Sequence, residues 1–237
     1  MKKRIIISRA VSVIAALILS SASLSAHAAP ITYLAADDNV GSLAQMVNST
    51  AAAASFLAVA GALNTVDFES ALPANLTITG GSTTSSSGCG PLCSFNTTLG
   101  GAFFREVVGG SVTFSFTDPV DAFGFYVNGL QTNLVPQQTI VYVDGSSVTQ
   151  TINMPSATQG GNGGGGAFVG FIDFGQLISN VTFNATSDIL GFDDLRFGKS
   201  EKDPNVEPVP EPSTLALLGF SLAGLAGFAS VRRRKQS

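Results

Sequence analysis

The chain has 237 residues, of which 45% are hydrophobic and 12% charged, and its formal net charge is −4. Eight of the twelve basic residues lie in the two end segments, so the body between them has four basic and sixteen acidic residues, a net charge of −12. A body this acidic repels nucleic acid and anionic lipid and favours divalent cations, so we expect no nucleic-acid partner.

The first 28 residues have the features of a secretory signal peptide. Four basic residues in the first nine positions precede an apolar run at 10–19, which is short for a membrane span. Ala26 and Ala28 form an A-x-A pattern, which predicts cleavage between Ala28 and Ala29. The only histidine, His27, lies in the segment to be removed. The exported body therefore lacks the histidine of a Ser-His-Asp, Cys-His or His-bearing zinc or haem site.

Residues 29–62 are expected to form a helical segment ahead of the main domain. Residues 42–62 are rich in alanine, and apolar residues such as Leu43 and Met46 recur at spacings of three and four. This period and composition predict one α-helix with Gly61 as its stop, and an apolar stripe that serves as a packing face.

Residues 63–198 change to short β-branched and aromatic runs separated by Gly, Asn, Ser and Pro. Runs such as 111–116 alternate apolar and polar side chains, which is typical of strands with one buried face. We predict one mainly β domain, an antiparallel jelly-roll-like β-sandwich, with immunoglobulin-like topology as the alternative. The predicted strands are 63–68, 76–79, 111–116, 122–127, 139–143, 147–152, 167–171, 178–183 and 190–197.

Turn signals and glycine runs connect these strands. Asp144 and Gly145 predict a hairpin in which the glycine supplies a positive φ. The segments 80–90 and 159–166 are so rich in Gly, Ser and Thr that we expect mobile loops. The glycine run opens no helix and has no Lys followed by Ser or Thr, so a phosphate-binding loop is disfavoured.

Two cysteines, Cys89 and Cys93, are separated by three residues. In an exported protein this predicts a local disulfide. So small a ring removes little chain entropy, so we expect it to shape the loop more than to stabilise the fold. Redox chemistry and zinc binding are disfavoured, because the spacing is not the two-residue redox type and no second Cys or His pair completes a zinc site.

Carboxylates lie at both ends of the predicted sandwich. A first strand that ends in Phe-Glu and a last strand with Asp-Asp resemble extracellular jelly-roll modules, including carbohydrate-binding ones and MAM domains, in which first and last strands pair. That resemblance implies that Glu69 meets Asp193 or Asp194 at a structural Ca²⁺, which favours oxygen ligands. The alternative is that strand alternation points these acids to solvent.

The C-terminal segment follows a polar linker at 199–208. Residues 213–231 carry no charge and are followed by four cations: Arg232, Arg233, Arg234 and Lys235. As a helix the apolar run is about 28 Å long, close to the hydrocarbon thickness of a bilayer. We therefore predict a transmembrane helix whose basic end stays in the cytoplasm.

The same segment, 209–237, begins with Val209, Pro210, Glu211 and Pro212. The Pro-Glu-Pro motif, the apolar span and the terminal Arg cluster, in this order, resemble the PEP-CTERM sorting signal of Gram-negative bacteria that make extracellular polysaccharide. The resemblance implies that an exosortase, a membrane transpeptidase, recognises the motif and cuts near it. The alternative is a membrane anchor that is never processed.

From these features we expect an exported protein that uses the secretion machinery and an exosortase. It is anchored transiently in the inner membrane and then reaches the cell surface, outer envelope or extracellular matrix. There the sandwich acts as a non-catalytic structural or adhesive module. The alternatives are a module that binds extracellular polysaccharide and a carboxylate-dependent glycoside hydrolase. Aspartates near strand ends keep the hydrolase open, although no spacing marks two of them as a pair: Asp118, Asp121, Asp144, Asp173 and Asp188.

Overall fold

The computed structural model describes residues 29–201, except 136, 137, 146 and 162. This part contains one α-helix, α1, at Val47–Ala60, preceded by a 3-10 turn at Leu43–Gln45. It also contains ten β-strands: β1 Ile31–Val40, β2 Asn64–Val66, β3 Leu76–Thr79, β4 Ser82–Thr84, β5 Phe104–Val120, β6 Ala122–Leu130, β7 Thr139–Val143, β8 Thr149–Asn153, β9 Gly164–Ile172 and β10 Ile178–Gly198.

Every strand pair is antiparallel, and the main order is β1-β9-β6-β10-β5-β3. The long strand β10 changes neighbours along its length. Strand β5 pairs with it from 178 to 192. On the other edge, β7 pairs with its first half at 181–184 and β6 with its second half at 191–198, where β2 also pairs. A register shift between Asp193 and Arg196 interrupts the pairing with β6. Strand β10 therefore belongs to two layers.

The two layers pack face to face around a phenylalanine-rich core. Tyr142 of β7 stacks on Phe171 of β9 with ring centroids 4.6 Å apart, although the two strands are not paired. Phe125 of β6 lies 6.3 Å from Phe183 in the first half of β10. Such contacts between strand segments that are not paired with each other require opposed sheet faces. The predicted mainly β, antiparallel fold with one helix is confirmed.

Helix α1 covers the outer face of the β1, β9 and β6 layer. Phe56 is fully buried there, with its ring centroid 5.7 Å from those of both Tyr33 and Phe168. A Cβ at Gly124 or Gly170 would approach the Phe56 ring to 3.1 or 2.9 Å. These two glycines therefore leave space for the helix to pack closely against the sheet.

The start of α1 is capped from strand β1. Asp37 accepts hydrogen bonds from the backbone N–H groups of Asn48 and Ser49 at 3.0 and 2.9 Å, and from both of their side chains. These are the second and third residues of the helix, whose N–H groups have no intrahelical partner. Burial would raise the pKa of Asp37, but the hydrogen bonds from Ser49 and Asn48 outweigh it and hold the pKa below its usual value.

Several local expectations were wrong. Strands β1 and β4 were not predicted, and the two strands predicted at 178–183 and 190–197 are the single strand β10. The helix begins at Val47 and not at 42. The end of the glycine segment 159–166 is the start of β9, where Gly164–Gly166 are buried and not mobile. Propensity misses the first three residues of this strand because glycine has no side chain to signal a sheet, yet close packing requires it there.

The predicted β7-β8 hairpin is present, with a different turn residue. The backbone N–H of Asp144 donates to the carbonyl oxygen of Val148 at 3.0 Å. The turn residue with a positive φ is Ser147, at 62°, and Gly145 does not have a positive φ. Gly145 is needed for space, because a Cβ there would lie 2.8 Å from the backbone nitrogen of Leu177.

Candidate functional site

A groove of about 560 Å³ lies on the solvent-facing side of strands β7 and β10, and we call it the sheet groove. Its volume is within the range of small-ligand sites. The core side of the same strands is filled by Ile140, Tyr142 and Phe183. The groove is therefore an outer surface of the sandwich. Its lining residues are Val141, Tyr142, Val143, Asp144, Leu177, Ser179, Asn180, Thr182 and Asn184.

Strand alternation places the polar side chains in the groove. In β10, Val181 and Phe183 are fully buried, while Asn180, Thr182 and Asn184 face outward. A period of two follows from the pleat of the strand, so every second residue shares a face. Because the core holds the apolar set, the amides and hydroxyls stay in the groove.

The outward positions of five adjacent strands continue this polar surface. In register across β8, β7, β10, β5 and β3 they form rows, one of which is Thr151, Val141, Thr182, Thr113 and Thr79. The hydroxyl oxygens of Thr113 and Thr182 are 3.0 Å apart and share a hydrogen bond. We call this surface, from β8 to β3, the threonine face. At strand spacings of about 4.8 Å it is roughly 19 Å wide.

One carboxylate, Asp144, is among the groove residues, and it is 4% exposed. One of its oxygens accepts from the backbone N–H of Val148 at 3.0 Å and the other from the side chain of Gln150 at 3.2 Å. Asp144 therefore shapes the β7-β8 hairpin. The Tyr142 hydroxyl donates to Asp173 at 3.0 Å, and burial, with the nearby charges of Asp173 and Asp144, raises the pKa of Tyr142.

Two more of the aspartates near strand ends also act as hydrogen-bond acceptors. Asp121 accepts from the backbone N–H of Ser200 at 2.6 Å. Asp188, which is 4% exposed, accepts from the side chain of Gln138 at 3.1 Å. Burial raises the pKa of Asp188. These contacts stabilise loops and do not place two acids across an open cleft.

Of the predicted calcium ligands, Glu69 and Asp193 hold the two ends of one loop. The Glu69 carboxylate accepts from the backbone N–H groups of Ala102 and Phe103, both at 2.6 Å. A Cβ at Gly101 would lie 2.5 Å from that oxygen, so only glycine permits this approach. We call residues 97–103 the clamped loop.

Asp193 holds the start of the clamped loop. It is fully buried and accepts from the backbone N–H groups of Thr97 and Thr98 at 2.7 and 3.0 Å. Burial raises the pKa of Asp193 to about 6 in spite of these hydrogen bonds. The third predicted ligand, Asp194, has a φ of 48° and forms an ion pair with Arg196 at 3.4 Å. Burial raises the pKa of Asp194 as well.

Backbone N–H donors thus occupy both oxygens of Asp193 and the Oε1 of Glu69, whereas Asp194 is paired with the Arg196 side chain. Among residues 29–201, apart from the four gaps, no group of three or more His, Cys, Asp or Glu side chains is placed to hold a metal ion. The calcium hypothesis stays a prediction, and thermal melting with and without EDTA tests it. The solvent-facing alternative is wrong for Asp193, because the bulge in β10 turns its carboxylate into the protein.

Cys89 and Cys93 form the predicted disulfide, with Cα atoms 5.7 Å apart. It closes the 3-10 turn Gly90–Leu92, and Cys93 lies four residues before the clamped loop. Its place agrees with the expectation that it shapes a loop.

The predicted processing and sorting residues lie outside the described part, except Ala29, which is exposed at its first position. Outside it are Ala26 and Ala28 of the signal peptide, Val209, Pro210, Glu211 and Pro212 of the sorting motif, and the basic cluster Arg232–Lys235. The predicted membrane span 213–231 lies there too. Within the part of the chain that is described, no helix is long and apolar enough to cross a bilayer.

Sequence analysis did not identify the sheet groove. Its signal was present in the alternation of Asn180, Val181, Thr182, Phe183 and Asn184. That pattern predicts a strand with a polar face but does not say which strands lie beside it. Only the pairing of β10 with β7 makes one groove from residues that are up to 43 positions apart in the chain.

Solved structures with limited similarity to this chain include two carbohydrate-binding domains. The CBM22-1 xylan-binding domain of Paenibacillus barcinonensis Xyn10C is 16% identical, with a TM-score of 0.38 over 60% of this chain and 99% of that one. TmCBM61, solved with beta-1,4-galactotriose, is 11% identical, with a TM-score of 0.31 over 57% and 94%. The enzymatically active domain of tailspike protein 4 of bacteriophage CBA120 is 16% identical, with a TM-score of 0.29 over 53% and 19%.

No curated protein matches the sequence. The C-terminal segment does match a family. Residues 208–235 fit the family model of the PEP-CTERM protein-sorting motif, which confirms the resemblance of the Pro-Glu-Pro motif, apolar run and basic cluster: the chain carries a PEP-CTERM sorting signal.

Proposed function

We propose that this chain is an exported exosortase substrate whose β-sandwich is a non-catalytic structural or adhesive module of the cell surface or matrix. The sorting signal at 208–235 is the observation that carries the proposal. Its apolar run and basic cluster hold the chain in the inner membrane until the exosortase cuts near the Pro-Glu-Pro motif. The acidic body then stays in solution and is repelled by anionic lipid.

The chemistry of the sandwich supports a non-catalytic role. The sheet groove contains one carboxylate, Asp144, and both of its oxygens accept hydrogen bonds from the hairpin that it shapes. A glycoside hydrolase of the usual kind needs two carboxyl groups that flank the scissile bond. The other buried aspartates hold backbone N–H groups or polar side chains of loops, as Asp193 does with Thr97 and Thr98.

Sorting is tested by mass spectrometry of the C-terminus of the surface protein from native cells. We expect the wild-type protein to end near Pro212. A variant with Pro210→Ala, Glu211→Ala and Pro212→Ala should keep Ser237 and accumulate in the inner membrane. The control changes the same residue types in the linker, with Pro204→Ala and Glu207→Ala, and should be processed normally. An intact Ser237 in the mature wild-type protein would overturn the proposal.

The non-catalytic role is tested by incubating the full chain with the extracellular polysaccharide of the same cells and measuring new reducing ends. We expect none above the level of a heat-denatured sample. Release of reducing ends that is abolished by Asp144→Asn would favour the hydrolase and contradict our proposal. The same substitution at exposed Asp118 is the control.

A further inference from the structure

We infer that the sheet groove, together with the threonine face, binds a segment of a neutral, hydroxyl-rich polysaccharide. The inference deepens the proposed function and rests on it, because export is what brings the protein to such a polymer. It gives the adhesive module one site and one class of ligand.

The distribution of charge is the first argument. Residues 29–201 contain thirteen acidic and three basic residues, so the body is strongly anionic. No residue is charged in the paired segments that form the threonine face, which are 149–153, 139–143, 180–184, 111–117 and 76–79. The one carboxylate among the groove residues, Asp144, is 4% exposed, and both of its oxygens accept hydrogen bonds from the hairpin. A charged ligand therefore finds no opposite charge to pair with on the threonine face. A neutral ligand is not repelled by the acidic body, and its binding does not require a charge to lose its water.

The hydrogen-bonding capacity of the surface is the second argument. Asn180 and Asn184 each present an amide that donates and accepts, and the hydroxyl of Thr182 does both as well. The hydroxyl groups of a polysaccharide also donate and accept. Each of them can therefore form a hydrogen bond with this face in more than one orientation of the polymer. The width of about 19 Å suits an extended chain that crosses several strands.

The apolar end of the groove supplies the remaining contact. Val143 and Leu177 are 50% and 56% exposed there. Their aliphatic side chains can cover the C–H face of a sugar ring, since burial of apolar surface is favourable whether or not it is aromatic. The one aromatic ring at the groove, Tyr142, is 2% exposed and turned to the core, so stacking on an aromatic platform plays no part.

Affinity electrophoresis of the full chain in mild detergent, in gels that contain dextran, mannan or hydroxyethyl cellulose, tests the inference. Alginate serves as a charged polymer for comparison. We expect retardation by at least one neutral polymer and none by alginate. The double variant Asn180→Ala and Asn184→Ala should weaken binding at least ten-fold, and Thr182→Glu should weaken it similarly. Thr32→Glu, at an exposed position of β1, is the matched control and should bind as the wild type does.

The outcomes separate the site from the proposed function. Binding that survives both groove variants would overturn the inference, and so would a folded, processed protein that binds none of the neutral polymers. Sedimentation of the wild type tests whether a second copy of the chain covers the threonine face. A concentration-dependent dimer that Thr182→Glu abolishes would overturn the inference. Thermal melting checks that the variants are folded. A wild-type protein that binds the neutral polymers but is not processed in cells would contradict the proposed function and leave the inference about the groove intact.

Discussion

At the scale of single residues, the acids of this protein act mainly as acceptors for backbone N–H groups. Asp37 caps helix α1, and Glu69 and Asp193 hold the two ends of the clamped loop. Hydrogen bonds to a charged acceptor are stronger than those between neutral groups. Each carboxylate thus ties together segments that are distant in sequence. Burial raises the pKa of Asp193 to about 6, whereas at Asp37 the hydrogen bonds outweigh burial and lower the pKa.

The Asp37 cap predicts a stability loss with a defined pH dependence. Asp37→Ala should destabilise the protein by about 1–2 kcal/mol near pH 7, because two helical N–H groups lose their acceptor. The pKa of Asp37 is lowered in the folded state. This stabilisation is therefore present above the unfolded-state pKa of about 3.9 and is lost as the pH falls through the folded-state pKa. Urea unfolding of the variant at several pH values measures it. Asp118→Ala, at an exposed position, should change the free energy of unfolding little.

The buried Asp193 predicts a contribution to stability that changes with pH in the opposite direction to that of Asp37. Its pKa is raised to about 6, so between about pH 4 and 6 the folded state binds more protons than the unfolded state. The contribution of Asp193 to stability therefore falls as the pH rises through this window. Asp193→Asn should lower stability at pH 4, and its disadvantage against the wild type should shrink toward pH 6. A difference that is constant with pH would contradict the buried carboxyl.

At the scale of elements, helix α1 and strand β10 decide the architecture. Helix α1 packs its buried residues, among them Ala53, Phe56 and Ala60, on the outer face of β9 and β6. This buries β9 on both faces. Strand β10 contributes to both layers and brings Asn180 to the groove at one end and Asp193 to the clamped loop at the other.

The contact between helix and sheet predicts a large effect of one side chain. Phe56→Ala should destabilise the protein by about 3–5 kcal/mol, because it removes a fully buried ring and leaves a cavity between Tyr33 and Phe168. Leu57→Ala, on the same helix at a position that is 36% exposed, is the control and should cost much less. Chemical denaturation of both variants compares them. Equal effects would mean that α1 does not pack as described.

At the scale of the whole molecule, charge separates the chain into three parts. The cations lie mainly in the two end segments, and the body is acidic. Basic residues beside an apolar segment resist transfer across the bilayer, so they set its orientation. The acidic body is therefore expected on the side away from the cytoplasm, where the Cys89–Cys93 disulfide is stable.

This arrangement predicts the location of the body. A reporter enzyme that needs disulfides to fold, inserted just ahead of Pro208, should be active in intact cells. The same fusion without residues 1–28 should be inactive, because the protein then stays in the reducing cytoplasm. Equal activity of the two fusions would contradict the assigned orientation.

The sequence by itself determined the sorting signal, the β class and the local disulfide. Each depends on composition or short-range period: an uncharged run followed by four cations, alternation as in 111–116, and the close pair Cys89 and Cys93. Only the tertiary structure decided the cap by Asp37, the clamped loop and the sheet groove. Those features join residues from different helices, strands and loops, and local patterns carry no information on which of them become neighbours. The glycines of β9 show the same limit, because their role comes from the backbone and side chains that pack against them.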